Sequence, residues 1–370
     1  TRSLHDALPI FFGLAICTLI LVVSGCFTMQ KIGGTPEGAR LLAIRMSPNY
    51  IDGTFRNHVP IPEILGGGAS MSDFVKLFFQ SRVNPAPPGP VPVVKTDLKS
   101  LDPDKDVVIW LGHSSYLIKL GGKTLLVDPV FSDYASPFFF STRAFKGASL
   151  YTADDMPYID ALLISHDHWD HLDYATVMEL KPKTGQIITG LGVGEHFVRW
   201  GFPEAMVHEA DWDTTVLLDE TLAVHVLPAR HYSGRWLDKN RSLWVSFAVE
   251  TLSRRIYYSG DSGYGPHFKT IGKRFDGFDL ALLDSGQYNE AWRNVHMSPE
   301  QATQAAIDLN AKGALPSHAG KFSIAFHSWD DPFNRFVNAS EGKPFRVVTP
   351  KIGELVDLAD PGQSFSRWWE

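Results

Sequence analysis

Residues 164–171 read Ile-Ser-His-Asp-His-Trp-Asp-His, an H-x-H-x-D-H pattern that puts His166, His168, Asp170 and His171 within six positions. Neutral imidazole is the commonest protein ligand for transition metals, and carboxylate is an ordinary zinc ligand. The pattern follows the apolar run 161–164, so it stands on the loop that leaves a strand. Such a loop splays alternate side chains, and two metal ions a few ångström apart can each take a share. A plain solvent loop is the alternative. Three histidines and two aspartates at this spacing argue against it.

Further ligands are expected at the ends of other apolar strands. Pro228-Ala229-Arg230-His231 follows the run 222–227, and Leu315-Pro316-Ser317-His318 ends another. Tyr257-Tyr258-Ser259-Gly260-Asp261 ends a third, where the glycine frees the backbone for a sharp turn. A lone His or Asp is weak evidence, but shared placement at strand ends makes His231, Asp261 and His318 candidate ligands. His113, after the run 107–111, reads equally as a pocket group or a turn residue. Asp128, in Val-Asp-Pro, either orients a ligating histidine or caps a turn. Tyr288, Trp236 and Lys321 are weaker pocket candidates. His5, His58, His196, His208, His225, His267 and His327 are read as structural.

The elements that must carry these groups form an α/β pattern. Strands are expected at 107–111, 116–120, 124–127, 161–164, 186–189, 222–227, 242–250, 256–259, 280–283 and 314–315. Helices are expected at 174–180, 194–200 and 299–310, the last with Ser298 as N-cap, Pro299 at the first position and Gln301 at the third. No repeat of fixed short period is visible. The chain of 370 residues is 44% hydrophobic and 20% charged, an ordinary globular composition. Its net charge of −7 argues against a nucleic-acid partner. Cys17 and Cys26 are the only two cysteines, which excludes a disulfide framework and a cysteine zinc site in the body.

The N-terminus reads as an address. Residues 7–23 carry no charge, and Val23-Ser24-Gly25-Cys26 follows on, resembling a bacterial lipobox. A lipoprotein acylated at Cys26, tethered to a membrane on the periplasmic side of the envelope, is the expectation; a plain anchor helix is the alternative. Residues 27–105 are expected to be an irregular extension, with Gly66–Gly68 and a proline-rich run from Pro85 to Pro92 as extended connector. Residues 106–370 form the main domain. The aromatic run Pro137-Phe138-Phe139-Phe140 is read as core rather than as a membrane-facing patch.

With these motifs in place, the chain resembles the metallo-β-lactamase-fold hydrolases. More narrowly it is similar to the N-acyl-phosphatidylethanolamine-hydrolysing phospholipase D family and its bacterial relatives. The segments that carry the likeness run from Ser47 to Phe336: S-P-N-Y-I-D-G-T-F-R-N, W-L-G-H-S-S-Y-L-I, V-D-P-V-F-S, the metal loop, Y-S-G-D-S-G-Y-G-P-H-F, I-G-K-R-F-D-G-F-D-L-A and H-M-S-P-E-Q-A. The resemblance implies an αββα sandwich of two central mixed sheets flanked by helices. It implies two zinc ions, one held by His166, His168 and His231, the other by Asp170, His171 and His318, with Asp261 bridging. Manganese or iron also suits these ligands. It implies a metal-bridging hydroxide as nucleophile on a lipid or small-molecule phosphodiester, Asp170 orienting it, and His296, with His113, steadying the substrate or passing a proton. An ester or lactone hydrolase on the same metals is the competing enzyme reading, and a tethered metal-binding protein the non-enzymatic one. The chain departs from the family at Asp284-Ser285-Gly286-Gln287-Tyr288, where the phospholipases carry a P-I-G-A-Y-type segment.

Overall fold

The computed structural model describes residues 29–61, 83–138, 140–235 and 239–370. Two seven-stranded sheets face each other. The first comprises β3 (Val107–Gly112), β4 (Ser115–Leu120), β5 (Lys123–Val127), β6 (Ile159–Ile164), β7 (Thr184–Gly190) and β8 (Val207–Ala210), with the last strand of the chain, β16 (Leu355–Asp357), beside β3. The second runs from β9 (Thr214–Leu217) through β10 (Leu222–Pro228), β11 (Val245–Thr251), β12 (Arg255–Tyr258), β13 (Leu280–Asp284) and β14 (Gly313–Ser317) to β15 (Arg346–Val347). From its β16 edge, the first sheet pairs antiparallel three times and then parallel three times. The second, read from β9, repeats this signature. The repeat lies in the pairing order, which is why no short sequence period reveals it.

Alternation along the strands divides the core into layers. Trp110, Tyr116, Ile118, Leu125 and Leu163 of the first sheet pack with Val226, Phe247, Tyr258 and Leu282 of the second, between the sheets. The opposite face of the first sheet, with Ile109, Leu117 and Leu162, packs on α2 (Tyr174–Leu180) and α3 (Gly194–Arg199). The opposite face of the second packs on α4 (His267–Phe275), α5 (Pro299–Asp308) and α6 (Asp331–Ala339). This is the expected αββα sandwich. The α5 start is capped as read: Ser298 Oγ accepts from Gln301 N at 3.3 Å, and Gln301 Oε1 accepts from Ser298 N at 3.0 Å.

Two expectations need correction. The segment 27–105 is not irregular throughout. It carries α1 (Gly38–Met46) and a ladder of β1 (Tyr50–Ile51) with β2 (Thr54–Phe55), and it sends Ile44, Phe55 and Val91 into the inter-sheet core. Phe138 and Phe140 are not core. They are 40% and 69% exposed, at the tip of a tongue closed by the bridge between Tyr134 and Arg143. Residues 7–26 and 66–68 lie outside the described residues, as do Phe139 and Trp236. Among the described residues no helix is long and apolar enough to cross a membrane.

Candidate metal centre

All seven expected ligands meet at one end of the two sheets. Asp170 and three histidines leave β6, while His231, Asp261 and His318 lie just beyond the ends of β10, β12 and β14. One ligand atom each from His166, His168, His231 and Asp261 fall within 4.8 Å of one another, and so do those of His113, Asp170, His171 and His318. His113 thus resolves as a centre residue, with Nε2 3.0 Å from Asp170 Oδ2. Asp261 touches both groups. Its Oδ2 is 3.1 Å from His171 Nε2 and 3.7 Å from both His166 Nε2 and His231 Nε2, and its Oδ1 is 3.2 Å from His318 Nδ1.

His166, His171 and His231 are held from behind, which leaves the inward nitrogen for the centre. His171 Nδ1 meets Asp128 Oδ2 at 2.8 Å, and His231 Nδ1 donates to Val295 O at 2.9 Å. Ser165 Oγ lies 3.0 Å from His166 Nδ1, and Ser114 Oγ lies 2.9 Å from His318 Nδ1. Asp128 thereby takes the orienting role rather than the turn-capping one. His113, Asp128 and His318 all have positive φ, at 54°, 39° and 62°. Non-glycine residues are strained there, at about 1–3 kcal/mol each, and such strain concentrates at functional sites. At Gly260, with φ of 56°, a Cβ would lie 2.7 Å from Val245 O, so the turn into Asp261 requires glycine.

Three imidazole nitrogens converge on one point: His166 Nε2 and His231 Nε2 lie 2.9 and 3.2 Å from His168 Nδ1. His171 Nε2 and Asp261 Oδ1 are buried without a hydrogen-bond partner. Lone pairs gathered in this way repel one another unless a cation lies between them, so the donor set fits a metal centre. Burial, and then the neighbouring imidazoles, hold His166 well below the ordinary histidine range, which keeps it neutral as a ligand must be. Burial would also lower His171, but the carboxylates of Asp261, Asp170 and Asp128 outweigh it and raise that residue. Asp261 is held down to about 2 against its own burial, by His171 first.

His296 lies beside the centre, with Nδ1 2.9 Å from Asp284 Oδ2 and 4.0 Å from Asp261 Oδ2. Asp284 escaped the sequence reading although it ends the apolar strand β13 as the other acidic groups end theirs. Burial pushes its carboxyl up to about 7, Asp261 adding to the shift and His296 opposing it. Tyr232 was missed as well. Its ring lies 4.5 Å from that of His168 and 4.6 Å from that of His231. Asn57 had no local signal: its Nδ2 donates to His231 O at 2.8 Å, and its Oδ1 accepts from His231 N at 3.1 Å. The metal loop is braced from below by Arg235, whose Nη1 donates to Asp167 O at 2.9 Å and Leu172 O at 2.7 Å. Tyr288 is turned away, its hydroxyl bonded to Asp331 and its ring stacked on His327. Lys321 is buried with Nζ donating to Val130 O at 2.6 Å. His225 bridges Thr215 and Glu250 in a structural role.

Residues 123–319, more than half of the chain, match the family model described as β-lactamase superfamily domain. An uncharacterized protein of Mycobacterium tuberculosis is 35% identical over 358 residues, covering 94% of this chain and 96% of that one. N-acyl-phosphatidylethanolamine-hydrolyzing phospholipase D 1 of Caenorhabditis elegans is 30% identical over 273 residues, covering 68% of this chain and 75% of that one. The solved structure of Igni18, a metallo hydrolase of Ignicoccus hospitalis, shares the fold with a TM-score of 0.53 at 19% identity, over 68% of this chain and 97% of that one. With its paired sheets and its His/Asp cluster at their mouth, the chain belongs to the β-lactamase superfamily and is a metal-dependent hydrolase of the metallo-β-lactamase fold.

Proposed function

We propose that the chain is a dinuclear zinc phosphodiesterase of phospholipase D type, acting on a lipid or related amphiphile beside the membrane that carries its N-terminus. The observation that carries this reading is the place of Asp261: it completes the group of His166, His168 and His231 and also lies 3.1 Å from His171 Nε2 and 3.2 Å from His318 Nδ1 of the other group, an arrangement that suits a closely spaced metal pair. His166, His168 and His231 would hold one ion and Asp170, His171 and His318 the other, with Asp261 available to both. Two divalent cations, when bound, supply water activation and neutralise charge developing at a phosphoryl group. Asp170, fixed by His113, orients the attacking water. His296 faces the substrate and, with Asp284 at its back, carries the proton for the leaving oxygen. The named phospholipase relatives supply the substrate class by similarity.

The test compares catalytic efficiency on N-acyl-phosphatidylethanolamine, bis-p-nitrophenyl phosphate and an acyl-homoserine lactone, using enzyme whose zinc content is measured. Phosphodiester turnover at about two zinc ions per chain is expected. A lactone preference of a hundredfold, equivalent to about 2.7 kcal/mol in the barrier, overturns the reading in favour of a lactone hydrolase. Fatty-acid labelling that marks the wild type but not Cys26→Ser supports the tether; equal labelling of both refutes acylation at Cys26.

A further inference from the structure

Between Phe131 and Lys146 the chain leaves β5 and returns as a narrow tongue. Tyr134 bridges Arg143, Ala135 N donates to Thr142 O at 3.0 Å, and Ser141 N donates to Phe138 O at 3.1 Å. The tip presents Phe138 and Phe140, whose rings stack at 5.5 Å with 17° between their planes. An exposed stacked aromatic pair costs solubility and contributes nothing to the core, so its place on the molecule matters. The root of the tongue packs on the rim of the metal centre. Ala135 joins Val130 and Phe322 in one buried cluster, and the Phe322 ring lies 5.2 Å from that of His113. Phe145 N donates to Lys321 O at 2.8 Å.

Lys31, near the start of the described residues, lies at the same root. Lys31 Nζ lies 5.5 Å above the Tyr134 ring, while Lys31 O accepts from Arg235 Nη2 at 2.9 Å. Cys26 is five residues before Lys31, a reach of at most about 17 Å. An acylated or anchored N-terminus therefore brings the bilayer to the side of the molecule on which the aromatic tip stands. Arg143 and Lys146 are exposed along the returning limb, against one exposed acid, Asp133, so the limb is net cationic. Apolar rings at the tip with cations behind them form the pattern of an interfacial membrane contact.

We propose that the tongue 134–143 is a second membrane contact, with Phe138 and Phe140 seated in the interfacial layer and Arg143 and Lys146 level with anionic headgroups. This rests on the tether proposed above and adds to it an orientation: the rim of the metal centre faces the lipid surface. The test is hydrogen exchange of the full chain bound to vesicles of phosphatidylcholine and phosphatidylglycerol, 3:1. Exchange in 134–143 is expected to slow at least tenfold on binding, while the turn 252–254 at the far end of the sheets is unchanged. Phe138→Ser/Phe140→Ser removes the protection and leaves the protein on the vesicles. A vesicle-bound wild type whose tongue exchanges as fast as 252–254 overturns the contact and leaves the tether standing. A full chain that does not bind vesicles overturns both. Equal protection without vesicles at the same protein concentration assigns the patch to a second copy and also overturns it. None of these readouts needs turnover, so they are independent of the phosphodiesterase reading.

Discussion

Asp128→Asn is the sharpest probe of the metal centre, because it replaces no expected ligand and changes one atom. Asp128 is fully buried. It accepts from Ser165 N at 2.8 Å, Ser165 Oγ at 2.5 Å, His171 Nδ1 at 2.8 Å and Tyr258 Oη at 2.6 Å. Three of these donors converge on Oδ2, and Ser165 N alone faces Oδ1. An amide in the same place keeps its oxygen on the three donors and turns its NH2 toward Ser165 N. The cost is two facing buried donors without an acceptor, Ser165 N–H and the new amide NH2, about 1–3 kcal/mol each, and loss of the charge that strengthens the His171 bond. Alanine would orphan all four donors, and at the same cost each that approaches the whole stability of a domain, about 5–15 kcal/mol. Asparagine is therefore expected to fold, with a melting point a few degrees lower. His171 keeps its Nδ1 proton but loses basicity, and metal affinity and kcat/KM should fall about 10–100-fold, the usual effect of a residue that orients a ligand. Chelator competition measures the affinity, and steady-state kinetics at saturating metal separates weaker binding from a misplaced ligand. Affinity and kcat/KM both within twofold of wild type, in a folded variant, would refute the claim that Asp128 sets the His171 ligand.

Two further predictions concern packing and pH. At Gly286 a Cβ would lie 2.0 Å from His318 O, so Gly286→Ala should cost about 1–3 kcal/mol and displace His318, lowering both Tm and activity; an unchanged melting curve and rate would contradict that packing. His267 is depressed to about 3 from 6.5, by burial first and then by Arg230 and His58. The unfolded chain therefore takes up the proton first, and this contribution is intact above pH 6.5 and lost as pH falls from 6.5 toward 3. The Tm loss between pH 7.5 and pH 5 should shrink in His267→Gln; equal losses would show that His267 contributes nothing.

What could be read from the sequence follows burial. β6 from Ala161 onward and β13 as far as Leu283 are covered on both faces, so they appear as apolar runs whose C-terminal ends are sharp. The H-x-H-x-D-H loop stands directly after one such end. The edge strand β9, Thr-Thr-Val-Leu, is mostly exposed and carries no apolar signal, and it was not anticipated. Nor was α4, whose buried face is Phe268, Ile271, Gly272 and Phe275, because Gly272 reads as a helix breaker. There it permits close packing: a Cβ would meet Asp308 O at 2.1 Å. The aromatic run 137–140 misled for the converse reason. Composition alone equates phenylalanine with burial, whereas the bonds across the tongue place 138 and 140 at its exposed tip. Asn57 was invisible because its partner His231 lies 174 residues away.

The matching pairing order of the two sheets explains why the centre is both shared and lopsided. β5 and β12 hold the same place in their sheets, and each is followed by a buried carboxylate close to the centre, Asp128 and Asp261. One turns behind the metal loop and binds His171 Nδ1; the other faces the cavity and meets His171 Nε2. A single imidazole is thus clamped between corresponding positions of the two halves. β6 and β13 correspond in the same way. The loop after β6 supplies four expected ligands, whereas β13 ends in Asp284, which binds His296 instead. One half therefore provides His166, His168, Asp170 and His171, and the other provides His231, Asp261 and His318 together with the Asp284–His296 pair. Sliding one sheet along the other would separate His171 from Asp261. The large apolar layer between the sheets, with Trp110, Tyr116, Phe247 and Tyr258 at its centre, therefore acts on the site as well as on stability. It keeps the two halves in the register that the centre requires.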